Sequence, residues 1–337
     1  MKKNVLYLGN NLSSSKTNVS YMKGLSTALK GEGYSVLCKS AIQQKLGRVL
    51  DMVKAVLQHG SGMNTALIDT YSTQNFYYAV IVSQCCRLMR LPYVPILHGG
   101  NLPHRLEHNP RLCRLLFRPA KVLVSPSLYL KTAFTAHGFS HVVYIPNSLQ
   151  LQQYPFTIRT VGPIRLLWVR SFSTIYNPCL AVDILKSLLD QGYEADLCMV
   201  GPDTDGSLET VQAHAKALGV TVKTPGKLFK AEWITLAKDY NVFINTTNFD
   251  NMPVSVIEAM ALGLPIVSTN VGGMPFLIAD GVDGVLVPPN DCQAFVDAIL
   301  DVKSNPEKTQ QLVLKAREKV EGFDWEVVKA QWREVLE

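Results

Sequence analysis

The feature that most narrows the fold is an alternation of short apolar runs with amphipathic stretches, which occurs in two series along 337 residues. In the first half the runs are NVLYLG (4–9), YSVLCKS (34–40), TALIDT (65–70), YVPILHG (93–99), KVLVSPS (121–127) and HVVYIPN (141–147), with helix-period stretches such as 18–31 and 74–90 between them. Runs this short read as strands, and strands alternating with helices pair in parallel. The polar segment LQLQQYPFTIRTVGP, with Pro155 and Pro163, interrupts the rhythm and reads as a linker. It restarts with IRLLWVRS (164–171), a helix near 178–191, ADLCMVGP (195–202) and a helix near 207–218. VTVKTPG (220–226), NVFINTT (241–247) and GVLVPPND (284–291) follow.

Two such series describe an α/β protein with two doubly wound, Rossmann-like domains. We place the first at 1–155, a linker at 156–163 and the second at 164–320; the length exceeds a single comfortable core. The segment 321–337 ends in FDWEVVKAQWREVLE, an amphipathic helix with two tryptophans. Its apolar face must pack somewhere, and the first domain is the candidate. Ligands of doubly wound sheets sit at the carboxyl ends of strands, so a central cleft between the domains is the expected site.

Composition removes several classes. Apolar residues at 47% with 18% charged describe a globular enzyme rather than a disordered or fibrous chain. The net charge of +6 is scattered, which fits an anionic ligand or lipid surface. No nucleic-acid motif appears, so no nucleic-acid partner is expected. The cysteines, odd in number and without a CxxC pair, suit reduced thiols in a cytoplasmic protein. The apolar run after MKKN is too short for a signal peptide, and FYYAVIVSQCCRLMRLPYVPIL contains Arg87, Arg90 and Pro92, so it reads as helix plus strand rather than a membrane span. There is no GxGxxG fingerprint, Walker lysine loop, nucleophile elbow or acidic pair suited to a metal.

The stretch NFDNMPVSVIEAMALGLPIVST (248–269) carries the chemistry. With Pro253 as first helical residue, the open amides belong to Met252, Val254 and Ser255, and Gly263 and Pro265 end the helix. Such an N-terminus attracts anions such as diphosphate. Glu258, one turn inside, suits the vicinal hydroxyls of a ribose; the alternative is a solvated helix residue. Asp250 either grips a sugar beyond the anion or merely caps the helix. Arg170, at the end of the strand 164–171, supplies positive charge for a diphosphate or is an ordinary surface arginine. In the first domain His98 ends a strand, and Gly99 and Gly100 allow backbone approach to a ligand. Gly9 stands likewise at the tip of the first strand, before the polar loop of YLGNNLSSS.

The segment FDNMPVSVIEAMALGLPIVSTNVGGMPFLIADGVDGVLVPPND resembles the donor site of glycosyltransferase family 4, the retaining GT-B enzymes. That family shows an acid, seven residues and a glutamate, then a small-residue helix end and a Gly-x-Pro turn. Asp250 and Glu258 keep the spacing, with Asp where the family usually has Glu. IPNSL (145–149) is similar to the family's Ile-Pro-Asn-Gly, and FDW near the end also resembles it. The resemblance implies a GT-B fold, two Rossmann-like domains facing a central cleft. It implies transfer, with retention, from a nucleotide-diphosphate sugar, uridine favoured over guanosine, to a glycan or lipid-linked acceptor in cell-surface polysaccharide synthesis.

Residue by residue, the resemblance gives Glu258 the ribose, and Asp250 with the amides of Asn251 and Met252 the donor sugar. Pro253, Val254 and Ser255 form the diphosphate-binding helix start, and Arg170 binds the same diphosphate. Asn177 stands where the family has a lysine. Gly226 and Lys227 fall in the loop that reads the base, and Gly201, at the tip of 195–202, joins the substrate-binding set. His98 matches the histidine near the transferred sugar. His98, Arg170 and Asp250 are the catalytic set. No cofactor beyond the donor and no metal is implied. The departures at Asp250 and Asn177 leave open a silent nucleotide-sugar-binding protein; a GT-B epimerase is a further alternative. Arg87, Arg90, Arg105, Arg111, Arg114, Arg118 and Lys121 are either solvated helix faces or a peripheral contact with the inner face of the cell membrane.

Overall fold

The computed structural model describes residues 3–10 and 21–337. The polar loop after Gly9 and Asn10, and the start of the 18–31 stretch, lie outside the described residues. The chain forms two compact units, Met1–Pro146 with Trp325–Glu337, and Asn147–Asp324.

The first unit runs β1 (Asn4–Leu8), α1 (Tyr21–Gly31), β2 (Ser35–Lys39), α2 (Lys45–His59), β3 (Thr65–Thr70), α3 (Asn75–Leu88) and β4 (Tyr93–Leu97). It continues with α4 (Leu102–His108), α5 (Pro110–Phe117), β5 (Leu123–Ser125), α6 (Leu128–Ala136) and β6 (Val142–Tyr144). The second begins β7 (Ile164–Val169), α7 (Pro178–Asp190), β8 (Ala195–Val200), α8 (Ser207–Ala217), β9 (Lys223–Gly226), α9 (Lys230–Leu236) and β10 (Val242–Asn245). Then come α10 (Val254–Leu262), β11 (Ile266–Thr269), α11 (Met274–Leu277), β12 (Val285–Val287), α12 (Cys292–Ser304) and α13 (Pro306–Glu321). The last helix, α14 (Trp325–Leu336), belongs to the first unit.

Both sheets are six-stranded and parallel, in the orders β2-β1-β3-β4-β5-β6 and β12-β11-β10-β7-β8-β9. The inner strands are largely apolar because helices cover both faces; every residue of β3 is buried. Successive side chains point to opposite faces. Accordingly Leu6, Leu8 and Ile68 pack with Met52, Phe76 and Phe117, while Val5, Tyr7 and Leu67 pack with Met22, Leu25 and Trp332. In the second unit Leu167 and Phe243 meet Val256 and Met260 on one side, and Leu166 and Ile244 meet Leu185 and Phe295 on the other. Strand order reverses between β1 and β3 and between β7 and β10. Crossovers leave such a point on opposite faces and open a crevice at the strands' carboxyl ends.

Three details differ from the sequence expectation. The first crossing between units falls after Pro146 rather than at 155, and the linker stretch packs in the second unit. Leu149, Leu151 and Tyr154 are buried in that unit's core, which their spacing in a polar segment hides. Pro253 is the N-cap of α10, not its first residue, with φ −69° and ψ 119°. Its ring suits a helical φ, but the extended ψ turns its carbonyl to accept from the amides of Val256 and Ile257 at 3.2 and 3.3 Å.

Candidate functional site

The second unit gathers its polar residues where strand order reverses. Arg170 follows β7 directly, and Asp250 lies on the loop after β10. The Arg170 guanidinium pairs with Oδ2 of Asp250 and lies 4.0 Å from the centre of the Tyr176 ring. Both partners are largely buried, at 14% and 12% side-chain exposure. Burial raises the Asp250 pKa above the usual carboxylate value, and the neighbouring Arg170 charge opposes that rise. Nε of Arg170 is buried with no protein partner among the described residues. An unpaired buried donor on a fixed cation is an opening for an acceptor atom from a ligand.

Gly201 explains how Arg170 is placed. It has φ 155°, and a Cβ there would stand 1.7 Å from the Arg170 carbonyl oxygen. Only glycine lets the tip of β8 pass so close to that backbone; the residue positions the arginine and does not itself open space for a ligand. Its amide donates to the Gly226 carbonyl at 2.9 Å, and half-buried Lys227 follows. The loop beyond Arg170 is tied by Asp205, which accepts from Ser173 Oγ at 2.8 Å, the Thr174 amide at 2.9 Å and Ser207 Oγ at 2.5 Å. Those bonds hold the Asp205 carboxyl well below the usual range. Asn177 sits in the left-handed region, φ 45° and ψ 57°, and caps α7. Its side-chain amide donates to Asn290 Oδ1 at 2.9 Å, so in this arrangement it points to a neighbouring loop and not to an anion.

At the start of α10, Val254 is exposed and Ser255 half-buried, whereas Asn251 and Met252 are buried. The Asn251 amide donates to Oδ1 of Asp250 at 2.8 Å. It therefore serves the carboxylate here, unlike the free sugar-binding amide expected, because the loop turns back on Asp250. Glu258 is 6% exposed and not a solvated helix residue. Tyr154 Oη donates to its Oε1 at 2.5 Å, and Lys230 Nζ lies 3.1 Å from the same oxygen. Lys230 also lies 5.5 Å from the centre of the Tyr154 ring. Burial first, then the Glu258 charge, push the Tyr154 hydroxyl far above its ordinary pKa. Tyr154 and Lys230 escape the sequence patterns because no period or motif ties them to the glutamate.

The first unit holds a second polar group at its own reversal point. His98, just past β4, places Nε2 2.9 Å from Asp69 Oδ1, and Tyr7 Oη donates to that same oxygen at 2.9 Å. Asp69 is buried on β3, and the rings of Tyr21 and Tyr71 flank His98 at 4.7 and 5.3 Å. Where Nε2 carries the hydrogen, Nδ1 is left as an acceptor. Gly9 touches the same carboxylate: a Cβ would stand 2.3 Å from Asp69 Oδ2. Gly99 lies against the Ser72 amide, and Gly100 follows in a half-buried turn. An acid inside the apolar run TALIDT was the available signal for Asp69. A pocket beside the group is lined by Gly9, Asn10, Asp69, Tyr71, Asn75 and Tyr78.

Two doubly wound parallel sheets, each with polar residues at its reversal point, define a protein of the GT-B class. The solved fold of Anabaena HepE in complex with UDP is similar over 100% of this chain and 99% of its own, with a TM-score of 0.78 at 20% identity. Sucrose-phosphate synthase from Thermosynechococcus elongatus covers 99% of this chain and 98% of its own, with a TM-score of 0.80 at 16% identity. At this identity the likeness is one of fold. Residues 157–319, nearly the whole of the second unit, match the family "Glycosyl transferases group 1", and that unit belongs to the family. Among curated relatives, the amylovoran biosynthesis glycosyltransferase AmsK of Erwinia amylovora is 26% identical over 72% of this chain and 63% of its own length. The putative colanic acid biosynthesis glycosyltransferase WcaL of Salmonella typhimurium is 24% identical over 74% of this chain and 65% of its own. The chain thus spans less than two thirds of either relative.

Proposed function

We propose that the chain is a retaining glycosyltransferase that moves a sugar from a uridine-diphosphate donor to a glycan or lipid-linked acceptor. The observation that carries this is the largely buried Arg170, with a buried and unpaired Nε, at the same reversal point as α10 and its buried Glu258. A cation and open helix amides suit a diphosphate, and a buried carboxylate one turn inside suits ribose hydroxyls. HepE has been solved with UDP and with UDP-glucose, which favours uridine here. AmsK and WcaL carry polysaccharide biosynthesis in their names, which favours a glycan acceptor.

In this reading the bond between the anomeric carbon and the β-phosphate oxygen breaks while the acceptor oxygen bonds to that carbon on the same face. The acceptor proton passes to the departing phosphate oxygen. Arg170 and the amides of Val254 and Ser255 stabilise the charge that develops there. Asp250 holds Arg170 until the donor arrives and then shares the sugar hydroxyls; it is not a nucleophile. His98, oriented by Asp69, keeps the sugar-side role that the family resemblance gives it.

A thermal-shift panel of uridine, guanosine and adenosine diphosphates and their sugars tests the donor site, with Glu258→Ala and Arg170→Ala alongside. A ligand that binds the folded state raises its melting temperature by mass action. Uridine compounds should stabilise the wild type and neither variant. A folded protein that answers to no nucleotide would end the proposal. A nucleotide response without transfer or donor hydrolysis would leave a silent binding protein.

A further inference from the structure

We propose that the face formed by α2, α3 and α5 of the first unit docks on an anionic lipid bilayer. α2 packs against α3, and α3 against α5. All three bury their inner sides on one side of the sheet, through Met52, Phe76 and Phe117. Their outer sides are unusually apolar. On α2, Leu46, Leu50 and Leu57 are 82%, 68% and 54% exposed. Positions i, i+4 and i+11 fall within about 40° on a helix, so these leucines form one stripe. On α3 the same spacing exposes Tyr77, Ile81 and Leu88 by 43%, 45% and 82%. Single exposed leucines are ordinary, but two stripes on packed neighbours make a patch of the kind that marks an interaction site. Lys45 Nζ donates to Gln74 Oε1 at 2.7 Å, which pins the start of α2 beside that of α3.

Charge selects the occupant. Lys45, Lys54, Arg87, Arg90, Arg114 and Arg118 are exposed on these helices and at their ends. The only carboxylate within α2, α3 and α5 is Asp51, and it pairs with Lys39 at 3.4 Å. Arg105 does not belong to the set: its Nε donates to the Ser72 carbonyl at 2.8 Å and its guanidinium lies 5.4 Å from the centre of the Phe76 ring. A second copy of this chain would set the same cations against one another. A bilayer with anionic headgroups meets both demands, since leucines enter the acyl boundary while lysines and arginines stay among the phosphates. Met52 of α2 and Asn75, Tyr78, Ala79 and Val82 of α3 also line the pocket beside Asp69. A lipid-linked molecule held at the bilayer would reach that pocket along the same two helices.

Co-sedimentation tests this with vesicles of phosphatidylcholine containing roughly one-third phosphatidylglycerol, against pure phosphatidylcholine, at low and raised salt. The expected result is binding to the mixed vesicles that is at least about tenfold weaker on pure phosphatidylcholine and weakened by salt. Leu50→Ser/Leu88→Ser, both at solvent-facing positions, should lower that affinity by at least about tenfold and leave the nucleotide thermal shift unchanged. Absence of wild-type binding to the anionic vesicles overturns the proposal, and so does equal binding by the variant. A dimer that the variant dissolves, with no vesicle binding, gives the face to a second copy and also overturns it. Loss of vesicle binding with an intact nucleotide shift leaves the transferase reading standing; the reverse result removes that reading alone.

Discussion

Tyr154 donates its hydroxyl to Oε1 of Glu258 at 2.5 Å, and both groups are buried. The carboxylate is therefore held in one rotamer by a residue from the segment that precedes β7. A buried hydrogen bond to a charged acceptor contributes about 1.5–3 kcal/mol. Tyr154→Phe should lower stability by about that amount in denaturant titration. It should also weaken the uridine-diphosphate thermal shift, because Glu258 loses the partner that aims it. A variant as stable and as responsive as wild type would show that Lys230 alone sets the rotamer.

Arg170 and Asp250 form a largely buried pair, so removing one member strands the other. Arg170→Met should cost about 3 kcal/mol or more, since it leaves a carboxylate without its counter-charge. Arg170→Met/Asp250→Leu should recover most of that loss, as paired apolar substitutions of buried ion pairs often do. Neither protein should respond to nucleotide. Chemical denaturation of the two variants separates a structural pair from a binding one: recovered stability with recovered nucleotide response would remove Arg170 from the donor site.

Asp205 gives a pH dependence with a definite sign. Its carboxyl is held below the usual range by bonds from Ser207, Thr174 and Ser173. The unfolded chain therefore binds the proton more readily, and the stability that Asp205 contributes is fully present above the ordinary aspartate pKa, about 3.9. It is lost as pH falls through and below that value. Asp205→Asn should flatten this acid limb of stability and loosen the loop after Arg170. A limb of unchanged slope would show that other carboxylates set it.

Asp69 should act through His98 as a positioning residue. Asp69→Asn removes the charge that strengthens the bonds from Tyr7 and His98. Sugar transfer should fall by at least about tenfold with little change in the nucleotide thermal shift, a split that general loss of structure would not produce. Tyr7→Phe, which keeps the His98 contact, should cost stability more than turnover.

Much of this was legible because burial leaves a plain mark. Strands covered on both faces must be largely apolar, so TALIDT and ADLCMVGP announce β3 and β8. The helix of Val254–Leu262 and its Gly263 stop are set by local chemistry. What stayed hidden is pairing between distant elements. Lys230 and Tyr154 meet Glu258 only because β7, β9 and β10 share one sheet, and nothing in the spacing of the three residues records that topology. Pro253 fits either the cap or the first helical position by its φ, and only ψ separates them. Asn177 stands in place of a lysine, yet the partner of its side chain, Asn290, comes from the loop after β12, out of reach of any local motif.

The placement of α14 has a consequence for the order of synthesis. Trp325, Val328 and Trp332 cover Val5, Tyr7 and Met22, yet they are made only after the whole of the second unit. A buried tryptophan of about 200 Å² contributes roughly 5 kcal/mol before entropy is counted. While the ribosome is still translating the second unit, one side of the first sheet lacks that cover and presents bare apolar surface. The unit whose strands emerge first is thus the last to be sealed, and a nascent chain stalled before residue 325 would need a chaperone to shield it.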